Sequence, residues 1–313
     1  MFSFLIDIIA AVLVFAVSAE LTSIGVEKLE PALGQGMTGG VILGFLSSLP
    51  ETVFVVIAVL SRSFSIALGS ALGGNIIVFT LGLGTIGIAY FAKWKSEMYM
   101  KEDYGIEIYF LLMSTVVLVL LLIYGRLDKL SGALLLLIYL AYVAYRYAKA
   151  RTRIIRDKNG TESAVGKGLA YIVIGSLLVL LISGYFVGLI SSISSYMAIP
   201  ALWLALFISP IAADIDENIS GYRIAVKNRG GGSTAVVGLL GSKLQNNTML
   251  LGIIGILASS SVSVYYARTA ILAVIAVNVA AIALIRRGKI GRKASILLIA
   301  AYFAMMIATF FLG

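Results

Sequence analysis

The sequence of 313 residues contains no cysteine and no histidine. Without cysteine, the chain forms no disulfides and offers no thiolate as a nucleophile or metal ligand. Without histidine, it has no Ser-His-Asp triad, no imidazole metal site and no histidine proton relay. Any chemistry must use carboxylates, hydroxyls, amides, lysine or arginine. An aspartyl protease would need two aspartates on separate helices, but Asp214 and Asp216 are only two residues apart. We therefore expect neither an enzyme nor a bound cofactor.

Charged residues are also scarce, at 12% of the chain against 60% hydrophobic residues. A soluble domain carries about twice that charged fraction. Apolar runs long enough to cross a hydrocarbon core of ~30 Å recur along the chain. The composition therefore predicts an all-α membrane protein embedded in the lipid bilayer. The net charge of +9 lies mostly in short loops, where it orients membrane helices, and no nucleic acid partner is expected.

The apolar runs and the polar breaks between them predict ten transmembrane helices. The predicted helices cover approximately residues 3–22, 36–60, 65–92, 105–125, 130–148, 168–190, 195–226, 232–259, 264–285 and 293–312. The first run resembles a signal peptide with a cleavage site near Ala19, but no basic residue precedes it and Asp7 interrupts it. We therefore interpret this run as the first membrane helix.

The distribution of basic residues predicts the orientation. Nineteen of the 24 follow odd-numbered helices, four follow even-numbered helices, and Lys243 lies inside a predicted helix. Because cytoplasmic loops are rich in lysine and arginine, we expect a multi-pass protein of the plasma membrane with both termini outside. The hydrophilic segment 150–167 is predicted to be a cytoplasmic linker between residues 1–149 and residues 168–313. Five helices is an odd number, so the two halves would form the inverted repeats common in secondary transporters.

The two halves contain related motifs. The first has Gly44-Phe45-Leu46-Ser47-Ser48-Leu49-Pro50-Glu51 and then Gly69-Ser70-Ala71-Leu72-Gly73-Gly74-Asn75. The second has Ala213-Asp214-Ile215-Asp216-Glu217 and then Gly238-Leu239-Leu240-Gly241-Ser242-Lys243. In both halves, a glutamate inside one predicted helix precedes a glycine-rich element that ends in a polar residue.

The two glutamates are the main indication of function. A carboxylate at bilayer depth costs about 2.5–3.5 kcal/mol on insertion scales, so it is rarely placed there without a partner or a function. Calcium prefers six to eight oxygen ligands, which Glu51, Glu217, Ser48, Asn75 and carbonyls near Pro50 would supply. Alternatively, each glutamate extends towards the membrane surface or pairs with a buried base.

The first-half motifs resemble those of the calcium/cation antiporter superfamily, which includes sodium/calcium and proton/calcium exchangers. Each inverted repeat of that superfamily has a G-[ST]-S-x-P-E-like core followed by G-N-x-x-G-S-N. The resemblance implies that Glu51 and Glu217 are the central ligands of a transported cation. The further ligands that it suggests are Ser47, Ser48, Asn75 and Asp214.

The same resemblance implies a function. It implies exchange of Ca²⁺, or a related inorganic cation, for Na⁺ or H⁺ by alternating access. A cation/proton antiporter that does not use Ca²⁺ and a cation channel are the alternatives.

The second half departs from the motif at three positions. Asp214 stands in place of Ser48, Asp216 in place of Pro50, and Lys243 in place of Asn75. The extra acid and the extra base predict that Lys243 pairs with Asp214 and acts as a fixed cation in the site. A structural salt bridge between the halves and proton coupling through the lysine are alternative roles.

Two further polar residues are predicted to modulate the site. Asp216 lies about 100° around a helix from Glu217, so it either lines the ion pathway or faces a vestibule. Asn246 belongs to a run of four polar residues, Gln245 to Thr248. Polar side chains at membrane depth usually hold helices together, but superfamily members often carry a polar residue at the position of Asn246, which makes it the best candidate of the four to line the pathway.

Overall fold

The computed structural model describes residues 2–33, 48–101, 104–151, 162–213 and 215–312. Its helices are Phe2–Leu33 (α1), Leu49–Leu60 (α2), Phe64–Ile77 (α3), Leu83–Trp94 (α4), Gly105–Tyr124 (α5), Lys129–Arg151 (α6), Glu162–Met197 (α7), Ala201–Ala213 (α8), Ile215–Lys227 (α9), Gly231–Gln245 (α10), Leu251–Leu257 (α11), Arg268–Arg286 (α12) and Arg292–Leu312 (α13). Two π-helical segments, Val78–Gly82 and Asn246–Leu250, join α3 to α4 and α10 to α11. A 3₁₀ turn, Tyr265–Ala267, precedes α12.

Much of this helical structure is suited to a membrane. Within the described ranges, seven helical stretches are long and apolar enough to cross a bilayer. They are Phe4–Val26, Phe64–Trp94, Gly105–Tyr124, Lys129–Ala148, Val165–Met197, Tyr265–Arg286 and Arg292–Leu312. Shorter apolar helices cover Leu49–Leu60 and Ala201–Ile211. The predicted class of α-helical membrane protein is confirmed.

Several helix boundaries differ from the sequence-based prediction. Residues 195–197 were expected to begin the helix 195–226, but they form the end of α7. This prediction was wrong because the chain turns at Ala198, which has a φ of +53°, and at Pro200, after which α8 begins. The first helix was predicted to end at residue 22 but continues to Leu33. Helices α6 and α7 both extend into the predicted linker 150–167.

The long helices α1 and α7 pack closely through small residues. The Ser18 hydroxyl donates to the Gly175 carbonyl oxygen at 2.7 Å. A Cβ atom at Gly25 would lie 2.6 Å from the carbonyl oxygen of Gly168. Close approach through small side chains is the usual way in which membrane helices associate, because hydrophobic contact with lipid and with protein is nearly equivalent.

Helix α3 lies at the centre of the molecule, and every residue from Ile66 to Ile77 is buried. It packs on α8 through Gly69 and Gly73, which are one helical turn apart. A Cβ atom at Gly73 would lie only 2.2 Å from the Leu206 carbonyl oxygen. These glycines therefore allow the backbones of the two helices to touch, and this contact holds α3 against the segment that leads to Glu217.

Two short antiparallel ladders connect loops that are distant in sequence. Strand β1, Met98–Tyr99, pairs with β4, Lys289–Ile290, and β2, Arg126–Leu127, pairs with β3, Val262–Ser263. The first ladder joins the loop after α4 to the loop between α12 and α13. The second joins the loop between α5 and α6 to the loop after α11. Each ladder links one loop of the first half with one of the second.

Candidate cation site

Glu51 lies in the first turn of α2 and is 2% exposed. Pro50 precedes it at a helix start, where the missing backbone N–H of proline costs no hydrogen bond. The neighbouring Ser48 is also buried, and its carbonyl oxygen accepts a hydrogen bond from the Thr52 hydroxyl at 3.0 Å. The partial positive charge of a helix N-terminus favours a carboxylate at this position. Ser47 lies outside the described residues.

Glu217 has a corresponding position in the second half. It is the third residue of α9, as Glu51 is the third residue of α2. The carboxylate is half-buried, and the Ser242 hydroxyl of α10 donates a hydrogen bond to its Oε2 atom. Asp214 and the side chain of Asp216 lie outside the described part of the chain, so their predicted roles stay predictions.

The motif residues Asn75 and Lys243 meet each other in the interior. Both side chains are 0% exposed. The Lys243 Nζ atom donates to the Asn75 carbonyl oxygen at 2.9 Å and lies 3.4 Å from the Asn75 Oδ1 atom. The Phe79 ring, one turn further along the helix, has its centroid 5.9 Å from Nζ, within the range of a cation–π contact.

The predicted pairing of Lys243 with Asp214 cannot be compared with this contact, because Asp214 is not described. Among the residues that are described, no carboxylate oxygen lies within 4 Å of the Lys243 ammonium. The ammonium therefore faces oxygens of the first-half motif.

A π-helical segment begins three residues after Asn75, and another begins three residues after Lys243. Each contains a threonine whose hydroxyl donates to a carbonyl one turn earlier: Thr80 to Ile76 at 2.5 Å, and Thr248 to Leu244 at 2.6 Å. Such segments interrupt the regular helical hydrogen bonding and frequently occur at functional sites. The two interruptions therefore mark matching places beside the site.

The polar run in the second half contains residues of two kinds. Asn247 donates to the Oδ1 atom of Asn278 at 3.3 Å, and Asn278 donates to the Thr115 hydroxyl at 2.8 Å. These bonds hold three helical segments together, which is the usual role of amides in membranes. Asn246 differs, because it is 1% exposed and neither of its amide atoms bonds to a described residue. A buried amide without a protein partner is costly, so Asn246 is a candidate to bind a water molecule or an ion.

A second buried polar cluster lies outside the predicted site. Arg146 forms an ion pair with Glu107, which is 1% exposed, and its Nε atom donates to the Tyr142 hydroxyl at 3.4 Å. Tyr139, one turn away from Tyr142, donates to the Gln245 Oε1 atom at 3.4 Å. The cluster thus reaches the residue that precedes Asn246.

The sequence motifs point to the two glutamates, the asparagine and the lysine, but not to several other polar residues that the structure places nearby. Ser242 was part of the quoted motif, but its bond to Glu217 was not expected. Glu107 is a charged residue inside a predicted membrane helix, and this charge is its signal in the sequence. Asn278 is visible in the sequence as a polar residue in an apolar run, but an isolated amide does not specify its partner.

The described residues do not contain a cluster of three acidic residues that would hold a metal ion. The two glutamates, the hydroxyls of Ser48 and Ser242 and the free amide of Asn246 are oxygen donors of the kind that hard cations prefer. The fold and these residues define a multi-pass membrane protein with polar groups buried among its helices.

Comparison with known proteins identifies the family. The model of the sodium/calcium exchanger protein family matches residues 3–148 and 167–311. The chain belongs to this family, which confirms the calcium/cation antiporter superfamily predicted from its motifs. The family consists of exchangers of inorganic cations rather than enzymes.

Individual proteins resemble this chain in sequence or in fold. The chain is 26% identical to the inner membrane protein YrbG of Escherichia coli (strain K12) over an alignment of 254 residues, with coverage of 77% of this chain and 73% of the relative. The fold resembles that of the H⁺/Ca²⁺ exchanger CAX, with a TM-score of 0.82, 18% identity and coverage of 99% of this chain and 86% of the other. It also resembles the sodium-calcium exchanger NCX_Mj, with a TM-score of 0.66, 16% identity and coverage of 97% and 98%.

Proposed function

We propose that this protein is a secondary antiporter that exchanges Ca²⁺, or a related cation, for Na⁺ or H⁺ by alternating access. The observation that carries this proposal is the matched position of Glu51 and Glu217, each in the first turn of a helix inside a predicted membrane span. Helices that begin or break inside a membrane form the ion sites of many secondary transporters. Two carboxylates at such positions supply the negative charge that a divalent cation requires.

The cation would be held by oxygens from both halves. Glu51 and Glu217 would be the central ligands, since one is fully buried and the other is oriented by Ser242. The further ligands that we propose are Ser47, Ser48, Asn75 and Asp214, together with the Ser242 hydroxyl. Asp216 and Asn246 would line the pathway, and the unsatisfied amide of Asn246 supports its assignment.

The architecture that we propose is ten transmembrane helices in two inverted repeats, residues 1–149 and 168–313. The two segments matched by the family model, 3–148 and 167–311, support this division. So do the π-helical segments that begin three residues after Asn75 and after Lys243. Inverted repeats allow one group of helices to move against the other around a fixed site.

The orientation that we propose places both termini outside the plasma membrane. The ladder between β1 and β4 joins two loops that are both predicted to be cytoplasmic, near Lys95 and Lys289. The ladder between β2 and β3 joins two loops that are both predicted to be external. Each ladder therefore keeps together loops that the distribution of basic residues assigns to one side.

In this mechanism, the two ions compete for the same oxygens. When the site faces one side, the carboxylates of Glu51 and Glu217 bind the cation that is favoured there by its concentration. After the helices rearrange, the site faces the other side of the membrane, where the counter-ion replaces the bound cation. Because an empty pair of carboxylates inside the membrane is costly, the site changes the side that it faces only when it is occupied, and exchange follows from competition alone.

An alternative substrate is favoured by one observation. The Lys243 ammonium adds a positive charge beside the proposed site, where the first half has a neutral amide. A site with that charge binds a monovalent cation or a proton at a smaller electrostatic cost than Ca²⁺. A cation/proton antiporter that does not use Ca²⁺ is therefore the second candidate.

The experiment that tests the class is uptake of radioactive Ca²⁺ into proteoliposomes. An outward Na⁺ gradient and an outward H⁺ gradient are imposed separately, with the membrane potential clamped. An antiporter takes up Ca²⁺ only when one counter-gradient is present. Uptake without either gradient would indicate a channel, and no uptake under both would overturn the Ca²⁺ assignment. Uptake of monovalent cations against a H⁺ gradient then tests the second candidate.

A further inference from the structure

Lys243 is a charged residue in an unusual environment. It lies near the end of α10, within a predicted span, and its side chain is 0% exposed. A lysine inside a membrane usually faces a functional site or a compensating partner, because its charge is costly there. Its long side chain does not extend to the surface, and the structure therefore holds an ammonium among buried groups.

The groups around the ammonium are those that would hold a small cation. Its Nζ atom is 2.9 Å from the Asn75 carbonyl oxygen and 3.4 Å from the Asn75 Oδ1 atom. The face of the Phe79 ring lies on a further side, at 5.9 Å. An ammonium has three donors, and the described residues provide acceptors for two of them. Oxygen ligands and an aromatic face bind ammonium and alkali cations by the same electrostatic attraction.

The position of this contact relates it to the proposed site. Lys243 follows Ser242, whose hydroxyl is bonded to the carboxylate of Glu217. On the other side of the contact, Asn75 belongs to the first-half motif and lies three residues before the start of the π-helical segment. The ammonium thus lies between the helix that orients Glu217 and the helix that carries the first-half amide.

We propose that the Lys243 ammonium is a tethered cation that permanently occupies one cation position of the transport site, formed by the oxygens of Asn75. The inference rests on the proposed antiport function and deepens it. The charge of Lys243 then replaces one mobile monovalent cation in the transport cycle. A variant with a neutral residue at position 243 opens that position and binds one additional monovalent cation.

The first test measures cation binding and does not require transport. Thermal unfolding of the purified protein in detergent is followed across a series of Na⁺ concentrations, with choline chloride keeping the ionic strength constant. The variants are Lys243→Asn, which reproduces the residue of the first half, and Lys243→Met. The control is Lys289→Met, which removes an exposed lysine that is paired with Glu97.

The wild-type protein and the Lys289→Met control are expected to have the same dependence on Na⁺. The position 243 variants are expected to be less stable in choline and to recover stability in Na⁺, since a ligand that binds only the native state stabilises it by mass action. The number of Na⁺ ions bound on folding should rise by about one. The same unfolding series is repeated with K⁺ and with Li⁺, in case the position vacated by the lysine binds one of these cations rather than Na⁺. Equal dependence on every cation in all four proteins would overturn the tethered cation.

The second test measures the coupling ratio in proteoliposomes. The membrane potential at which net Ca²⁺ movement stops is determined for fixed gradients of Ca²⁺ and the driving ion. The variants are expected to require one more driving monovalent ion per Ca²⁺ than the wild-type protein. An unchanged reversal potential in an active variant would overturn the inference while leaving antiport intact. Absence of exchange in the wild-type protein would instead overturn the proposed function, and the binding test would still decide the role of Lys243.

Discussion

The contact between α3 and α8 predicts that two glycines at matching positions of the halves respond differently to substitution by alanine. Gly73 precedes Asn75 by two residues, and Gly241 precedes Lys243 by two residues. A Cβ atom at Gly73 would lie 2.2 Å from the Leu206 carbonyl oxygen and 2.7 Å from the Pro210 ring. A Cβ atom at Gly241 would meet only the Tyr142 hydroxyl, at 3.8 Å.

The distances allow the effect to be estimated. Ordinary contact begins at 3.4 Å, so the helices would have to separate by about 1.2 Å to accept alanine at position 73. Overpacking of this kind costs about 1–3 kcal/mol. Alanine is a better helix former than glycine, which offsets at most ~1 kcal/mol of this cost. Because backbone atoms of α8 form the obstacle, no rotation of a side chain relieves it. At position 241 only the gain in helix propensity remains.

The Gly73→Ala substitution should also change the rate of transport. Helix α8 precedes the segment that carries Glu217, and α3 carries Asn75. Separation of these helices would therefore widen the proposed site. Gly73→Ala is expected to lower both the melting temperature in detergent and the rate of cation exchange in proteoliposomes. Gly241→Ala is expected to leave the melting temperature unchanged or slightly raised. Equal melting temperatures for the two variants would refute the reasoning.

Two pairs of substitutions test the other polar clusters. Arg146→Met should lower the free energy of unfolding by about 3–5 kcal/mol, because it removes the ion-pair partner of the buried Glu107 carboxylate. Glu107→Gln should lower it by less, because the Arg146 side chain is only partly buried. The double variant should lose less than the two single losses together, and additive losses in thermal melts would contradict the ion pair. Asn246→Ala should raise KM for the cation without lowering the melting temperature, since its amide bonds to no described residue. Asn247→Ala should instead lower the melting temperature, because it loses the bond to Asn278, and identical behaviour of the two variants would contradict these roles.

The sequence was most informative where a physical requirement produces a local pattern. Long apolar runs predicted the membrane helices, because a helix that crosses the bilayer must be apolar over a length set by the thickness of the hydrocarbon core. Paired motifs predicted that Glu51 and Glu217 hold equivalent positions, and each is the third residue of its helix. The boundary between α7 and α8 near Ala198 was missed, because a helix can end there without a polar segment. The turn depends on one residue in the left-handed region and on Pro200.

Contacts between helices that are distant in sequence could not be predicted from the apolar runs and the motifs. The contact between Lys243 and Asn75, its own counterpart in the first half, was not predicted from the motifs, and the predicted pairing of Lys243 with Asp214 stays a prediction. The partner of a buried group depends on how the halves pack, and the motif does not encode that packing. For the same reason, the bond from Asn278 to Thr115 was not foreseen, although both residues were visible as polar interruptions of apolar runs.

The central claim is that Glu51 and Glu217 bind the exchanged cation. The most direct measurement is gradient-driven uptake of radioactive Ca²⁺ into proteoliposomes by the wild-type protein, Glu51→Gln and Glu217→Gln. Glu97→Gln is the matched control, because Glu97 is an exposed glutamate in a surface pair with Lys289. The account predicts rapid uptake by the wild-type protein and the control, and none above background by either site variant. Full uptake by a folded Glu51→Gln variant would contradict the account.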